Sequence, residues 1–251
     1  MPACKPPDIT TDELSAPRRS QVKGRRPRRA RISLAKLKFE QDLAIVEPAG
    51  NLHWAYRLTK RTTDIFGALC LLILLGPAML ATFVALTITT RGRPVYTQMR
   101  VGYLGRKFRM VKFRTMRVDA DQMKHLVVNE ATGPIFKNRR DPRITRIGRF
   151  LRMTSIDETP QLVHVLTGHM SLVGPRPMVV KEVSEFEPWQ RRKLSVKPGL
   201  TCLWQISGRS EIGFLEWMRM DLWYSKRQSL WTDMKLLIKT PWKVITGKGA
   251  Y

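Results

Sequence analysis

A chain of 251 residues is long enough to bury one good core with a small appendage. Its net charge of +25 calls for anionic partners, whether nucleic acid, anionic lipid or phosphorylated substrates, and composition does not choose among these. Cys4, Cys70 and Cys202 are far apart and lack C-x-x-C spacing, and the four histidines lack H-E-x-x-H spacing, so neither a disulfide framework nor a zinc site is supported.

Residues 1 to about 50 are rich in Pro, Ser and Arg, with ten Lys or Arg and no acid between Arg18 and Lys38. This reads as a disordered basic tail suited to a nucleic acid or to a membrane surface. A cleavable signal peptide is not supported, because the first long apolar run begins only at Ile65. From Ile65 to Thr90, 26 consecutive residues carry no formal charge, enough to cross a bilayer. Gly76-Pro77 lies at the middle, where proline removes a helix hydrogen bond. Both flanks are basic, Lys60 and Arg61 before and Arg91 and Arg93 after, so charge selects no orientation. A straight spanning helix with a kink and a re-entrant helix that returns to the same face both fit.

Strands are predicted around 95 to 97 and over 107 to 113, and helices over about 116 to 130, 143 to 152 and 160 to 167. Turn-rich basic loops follow, Gly174-Pro175-Arg176-Pro177 and Lys197-Pro198-Gly199-Leu200-Thr201. The segment from Leu230 to Lys243 mixes Trp, Leu and Lys at helical spacing, as an interfacial helix or a helix packed on a core would.

The stretch from Arg152 to Gln161 holds the densest chemistry. Pro160 favours a first helical position and Thr159 before it an N-cap, which would set Asp157 and Glu158 just outside a helix N-terminus, where anions are stabilised. The competing reading is an ordinary capping box between Ser155 and Glu158. Among the many cations nearby, Lys112, Arg152, Arg176 and Arg209 stand out as a phosphate clamp. Paired carboxylates beside such a clamp suit phosphoryl transfer in which an aspartate attacks phosphorus and Mg²⁺ neutralises charge.

These residues fall into separated blocks: Lys60-Arg61-x-x-Asp64, Lys112-Phe113-Arg114-Thr115-Met116, Asp141-Pro142-Arg143, Arg152-x-x-Ser155-x-Asp157-Glu158-x-Pro160-Gln161-Leu162, Met170-Ser171-x-Val173-Gly174-Pro175-Arg176-Pro177 and Pro198-Gly199-Leu200-Thr201. Together, from about Arg57 to Tyr251, they resemble the bacterial sugar transferases, monotopic polyprenyl-phosphate phosphoglycosyl transferases. The resemblance implies an α-rich α+β fold. A re-entrant, proline-broken membrane helix over about 62 to 90 would precede a compact cytosolic catalytic region over about 91 to 251, with amphipathic interfacial helices, the whole domain spanning 51 to 251.

The resemblance also implies transfer of a sugar 1-phosphate from a UDP-sugar to undecaprenyl phosphate at the cytoplasmic face of a bacterial inner membrane, starting an exopolysaccharide, capsule or O-antigen unit. Asp157 would be the nucleophile, and Glu158 would hold Mg²⁺ with it. Lys112 and Arg152 would bind phosphate. Arg114, Arg176, Pro177, Pro198, Gly199, Thr201 and Arg209 would surround the nucleotide or sugar. The Pro198 to Arg209 block and the C-terminal Gly247 to Tyr251 look more like galactose or glucose transferases than like the diamino-sugar branch. Partners would be the UDP-sugar, the lipid acceptor and membrane lipids, with no nucleic acid, and a homo-oligomer is compatible with the sequence.

Two positions depart from the pattern: Cys202 where many members have Gly, and Gly76 where Ser often precedes the membrane proline. Larger relatives carry four spanning helices ahead of this module, so a minimal version is expected. The readings that compete with the enzyme are a membrane-tethered protein that binds nucleic acid or anionic lipid, and an inactive scaffold of a glycan-assembly complex.

Overall fold

The computed structural model describes residues 46–48, 50 and 53–246. The basic tail and the C-terminal Gly247 to Tyr251 lie outside them, apart from the tail's last few residues, of which Val46 packs against the core.

The apolar run forms one long helix, α1 (Trp54–Thr89), which starts earlier than expected and continues through Gly76-Pro77. It is long and apolar enough to cross a membrane, and little of its apolar stretch is buried in the protein. Phe66, Ile73, Leu74, Leu80 and Ile88 are exposed, an apolar surface of the kind that marks contact with a membrane or with another protein. One stripe docks on the globular domain along the whole length. Arg61 donates to the carbonyls of Val165 and Leu166, Asp64 accepts from the Ser171 hydroxyl and the Leu172 amide, and Ala68 enters a core with Phe108, Leu162 and Leu172. Beyond Pro77, Leu86 packs with Phe113 and Leu151.

The next elements are β1 (Val95–Val101) and β2 (Lys107–Phe113), antiparallel in the register Val95↔Phe113 to Val101↔Lys107. Alternation along β2 turns Phe108, Met110 and Lys112 to one face, the first two into the core and Lys112 to its edge. The predicted helix over 116 to 130 reduces to a single 3₁₀ turn, Gln122–Leu126. Its place is taken by a loop held by the Asp141–Arg143 pair, whose guanidinium also donates to the Ala120 carbonyl.

Helix α2 (Arg146–Met153) is capped by the Thr145 hydroxyl, which accepts from the Gly148 amide. It packs so closely that a Cβ on Gly148 would lie 1.9 Å from the Thr115 carbonyl oxygen. A 3₁₀ turn, Ile156–Gln161, leads into the short α3 (Leu162–Leu166). The expected Thr159 cap does not form: its hydroxyl donates back to the Ile156 carbonyl, the α-helix begins only at Leu162, and both acids sit in the first turn of the 3₁₀ segment.

Strand β3 (Ser171–Val173) pairs in parallel with β5 (Gly199–Thr201), and β4 (Met178–Val179) extends the first sheet to the order β2-β1-β4. The short helices α4 (Val180–Ser184) and α5 (Pro188–Arg191) lie between β4 and β5. Three helices finish the chain, α6 (Leu203–Ser207), α7 (Phe214–Lys226) and α8 (Leu230–Thr246). The main core gathers Val101, Met178, Phe186, Trp204, Phe214, Trp217 and Met218. On α8, Asp233 and Leu236 face inward while Trp231, Ile238, Trp242 and Ile245 form an exposed apolar stripe, the pattern of an interfacial helix.

Candidate functional site

Ser155 opens the 3₁₀ turn with φ 57°, a left-handed conformation disfavoured for a residue with a Cβ. No capping box forms, because the Ser155 hydroxyl receives Arg209 at 3.4 Å while the Glu158 carboxylate is engaged elsewhere. The reversal delivers two adjacent carboxylates into the middle of the domain.

In a 3₁₀ turn neighbouring side chains diverge by about 120°, so the two acids meet different partners. Glu158 Oε1 takes the Arg176 guanidinium at 2.7 Å, and its Oε2 takes the Gln205 amide at 3.3 Å. Asp157 is 7% exposed and accepts no hydrogen bond among the described residues; its field comes from Glu158, Lys112, Arg152 and Arg176. Arg152, in the last turn of α2, is aimed by Thr115, whose hydroxyl accepts from its Nε at 3.0 Å. Lys112 reaches the same place from β2, its ammonium 5.4 Å from the Tyr96 ring centre.

The charges set the chemistry. Burial and the neighbouring Glu158 push the Asp157 carboxyl up to about 7, against the pull of Lys112 and Arg152. Burial would raise Glu158 as well, but Arg176 overcomes it and holds that carboxyl below its ordinary range. Burial and the repulsion of Arg152 bring the Lys112 ammonium down to about 8. Burial lowers Arg209 too, although Glu158 and Asp157 oppose the shift.

The structure brings Asp157, Glu158, Lys112, Arg152, Arg176 and Arg209 into one cluster. It places the other sequence-predicted residues differently. Arg114 turns away and donates to the carbonyls of Arg93 and Val95. Pro177, Pro198, Gly199 and Thr201 are buried and act on the backbone that carries Arg176. The Gly199 amide donates to the Pro175 carbonyl, and the Gly174 amide to that of Thr201. The approach demands glycine, since a Cβ on Gly199 would lie 2.0 Å from the Gly174 nitrogen. Arg176 then rests 5.7 Å from the Trp204 ring centre, and Trp204 stacks on Trp217.

Three contributors escaped the sequence reading. Arg100, held by Gln98 and the Pro177 carbonyl, adds positive potential to Glu158. Its signal is strand parity: Tyr96, Gln98 and Arg100 alternate with the exposed Thr97 and Met99, and Tyr96 pairs with Lys112. Thr115 and Gln205 lie inside recognisable motifs, but nothing in one dimension links them to Arg152 and Glu158. Cys202 points into the core, and its amide and thiol both donate to Gln205 Oε1, so it holds the side chain that holds Glu158.

A family model described as bacterial sugar transferase matches residues 55–247. A galactosyl transferase, CpsE, of Streptococcus agalactiae is 47% identical over 78% of this chain and 44% of its own length. A UDP-galactose-lipid carrier transferase of Erwinia amylovora is 40% identical over 85% of this chain and 46% of its own. The exopolysaccharide production protein ExoY of Rhizobium meliloti is 33% identical over 84% of this chain and 93% of its own length. The chain thus spans less than half of the first two relatives and nearly all of the third. With a family match over most of its length, the chain belongs to the bacterial sugar transferase family.

Proposed function

We propose that this protein is a phosphoglycosyl transferase that moves a hexose 1-phosphate, of galactose or glucose, from a UDP-sugar to undecaprenyl phosphate by way of a covalent intermediate on Asp157. The observation that carries this reading is the unequal treatment of two adjacent acids: Glu158 is tied by Arg176 and Gln205, while Asp157 is buried among cations with its oxygens uncommitted. A fixed carboxylate suits orientation, and a desolvated, unbonded one suits attack.

The steps follow from the chain's own groups. Lys112, Arg152 and Arg176 draw the diphosphate against Asp157 and offset its charge. An Asp157 oxygen attacks the β-phosphorus, the bond from that phosphorus to the bridging oxygen breaks, and UMP leaves with the electron pair. An oxygen of the acceptor phosphate then attacks the same phosphorus, restoring the Asp157 carboxylate and forming the lipid diphosphosugar. Arg209, in contact with Ser155, closes the other side of the turn.

A divalent metal belongs to this proposal. No cluster of three or more His, Cys, Asp or Glu able to hold a metal occurs among the described residues. The donor set on hand is oxygen only: Asp157 is free of hydrogen bonds and Glu158 Oε2 has a single long contact. That fits Mg²⁺, which takes one or two carboxylates and completes its shell with substrate oxygens and water. Asp157 and Glu158 would hold it, and when bound it supplies Lewis-acid neutralisation of the transferring phosphoryl group.

The acceptor's phosphate lies at a membrane surface, and the placement of α1 supports a domain seated there. Ala68 and Leu86 both dock on the globular domain, and the 18 steps of helix from one to the other span about 27 Å. A bilayer core of about 30 Å crossed by that stretch would have to contain the charged domain beside it. A helix that lies in one leaflet and returns to the cytoplasmic face meets no such cost, and the exposed apolar stripe of α8 would lie in the same interface. The start of an exopolysaccharide, capsule or O-antigen unit is the role this reaction would fill.

The test is UMP release from a panel of UDP-sugars by protein in lipid nanodiscs with undecaprenyl phosphate and Mg²⁺, beside Asp157→Asn. Release with UDP-glucose or UDP-galactose, lost in the variant, supports the reading. Release that persists in the variant, or silence across the panel from folded protein, overturns it.

A further inference from the structure

A cavity of about 300 Å³ opens between residues 130–139 and residues 211–214. Its walls are fixed. The Asn129 amide donates to the Ile135 carbonyl, and its oxygen accepts from the amides of Ala131 and Lys137. Lys137 bridges the two walls by donating to the Ile212 carbonyl at 3.1 Å. Its ammonium also lies 5.6 Å from the centre of the Trp204 ring, the indole that carries Arg176. Burial and the charge of Arg176 together lower the proton affinity of Lys137, so the two cations sense each other across that ring. On the other wall a single turn joins cluster and cavity: Arg209 reaches Ser155, and Glu211 two residues later lines the cavity.

We infer that this cavity receives the hexose of the donor, and that Glu130 and Glu211 select the sugar by accepting hydrogen bonds from its hydroxyls. The inference rests on the transferase reading above. In a nucleotide diphosphate sugar the hexose is bonded directly to the phosphate that is attacked, so its pocket must lie near the phosphate clamp, and this one is linked to the clamp through Trp204 and through the turn from Arg209 to Glu211. The volume lies at the lower end for ligand sites, room for one sugar ring rather than a whole nucleotide sugar. Glu130 and Glu211 match hydroxyl donors, Glu130 keeping one carboxylate oxygen beyond the one that accepts from the Arg139 amide, and Lys137 and Arg139 share the lining and balance their charge. Phe214, the only aromatic side chain in the lining, is 4% exposed and offers no face for a uracil to stack on.

Gly213 supplies a direct probe. It lines the cavity with φ −67° and ψ 159°, ordinary for any residue, and a Cβ there would meet nothing within 4 Å. Gly213→Leu should therefore fold and fill the space.

Binding of UDP, UDP-glucose and UDP-galactose would be measured by calorimetry on the full chain in nanodiscs, with Asp157→Asn as background to block turnover. In Gly213→Leu and in Glu130→Gln/Glu211→Gln, affinity for UDP-hexose should fall about tenfold or more while affinity for UDP holds. The Gln variants should also change the ratio between the two hexoses, which differ only at one hydroxyl. Equal loss of UDP and UDP-hexose would give the pocket to the nucleotide, and no loss with either would empty it of a role; both overturn the assignment. UMP release by the unmodified chain runs in parallel. Release with unaltered binding ratios sinks the pocket alone, whereas no release from any UDP-sugar sinks the transferase and the pocket with it.

Discussion

Asp157 and Glu158 are neighbours with opposite acidities, and the difference comes from partners rather than from residue type. Glu158 has Arg176 at 2.7 Å, while Asp157 has burial and a like charge beside it. Asp157→Asn should lower transfer at least about 10³-fold with little change in fold, checked by UMP release and circular dichroism. On the proposed route only the ionised carboxyl attacks, so kcat/KM should rise as pH climbs through about 7. It should fall again near 8, as Lys112 loses its proton and with it the attraction for phosphate. Because the two groups interact, the limbs belong to the pair; Lys112→Arg should move the alkaline limb beyond the measured range. For folding the sign is opposite. A carboxyl whose pKa is raised in the folded state favours the native state below its unfolded pKa and loses that contribution as pH climbs to about 7. Thermal unfolding of the free protein should therefore show a melting temperature that declines between about pH 4 and 7, and Asp157→Asn should flatten the decline.

At the scale of elements, the site depends on backbone approaches that only glycine permits. Gly199→Ala would drive a methyl into the Gly174 backbone and shift the loop that holds Arg176. It should cost about 3 kcal/mol or more of stability and lower transfer even where the protein remains folded, read by thermal melting and UMP release. Gly148→Ala should act likewise through Thr115 and Arg152. Much at this level was legible in one dimension. β2 was placed correctly because Phe108, Met110 and Phe113 are apolar and turn residues bound the run, and α8 because its tryptophans and lysines recur at helical spacing.

The turn from Ile156 to Gln161 was misread as a cap before a helix. Thr159 can cap or can close a 3₁₀ turn, and the choice was made by Arg176 and Gln205, far along the chain, which draw Glu158 inward. The segment from 116 to 130 has helical composition, yet the Asp141–Arg143 pair and its bond to Ala120 hold it as loop. Cations were easy to list and hard to sort: Arg114 and Arg176 look alike in sequence, and only the register of β1 and β2 shows that the first is tied to carbonyls at the strand's outer end.

For the whole molecule, the long helix and the domain pack into one object with an exposed apolar side. α1 is exposed where lipid would cover it and docked where the domain lies, on both sides of Pro77. Single cysteines placed next to Lys60 and next to Arg91, in a background lacking Cys4, Cys70 and Cys202, should both react with a membrane-impermeant maleimide added from the cytoplasmic side and from no other. Labelling of the two positions from opposite sides would establish a spanning helix. The apolar stripe of α8 should sit in the same plane, so a spin label at Ile238 should be shielded from aqueous relaxation agents in nanodiscs.

The transfer reaction itself rests on the carboxylate that stands without a hydrogen bond among cations. The most direct test is to mix the protein with UDP-hexose and Mg²⁺ in the absence of lipid acceptor, quench in acid and measure intact mass followed by peptide mapping. A single hexose phosphate on the peptide containing Asp157, chased off by undecaprenyl phosphate and missing from Asp157→Asn, is the expected result. An unmodified chain that still transfers sugar phosphate once the acceptor is added would contradict the covalent route and assign Asp157 a different task.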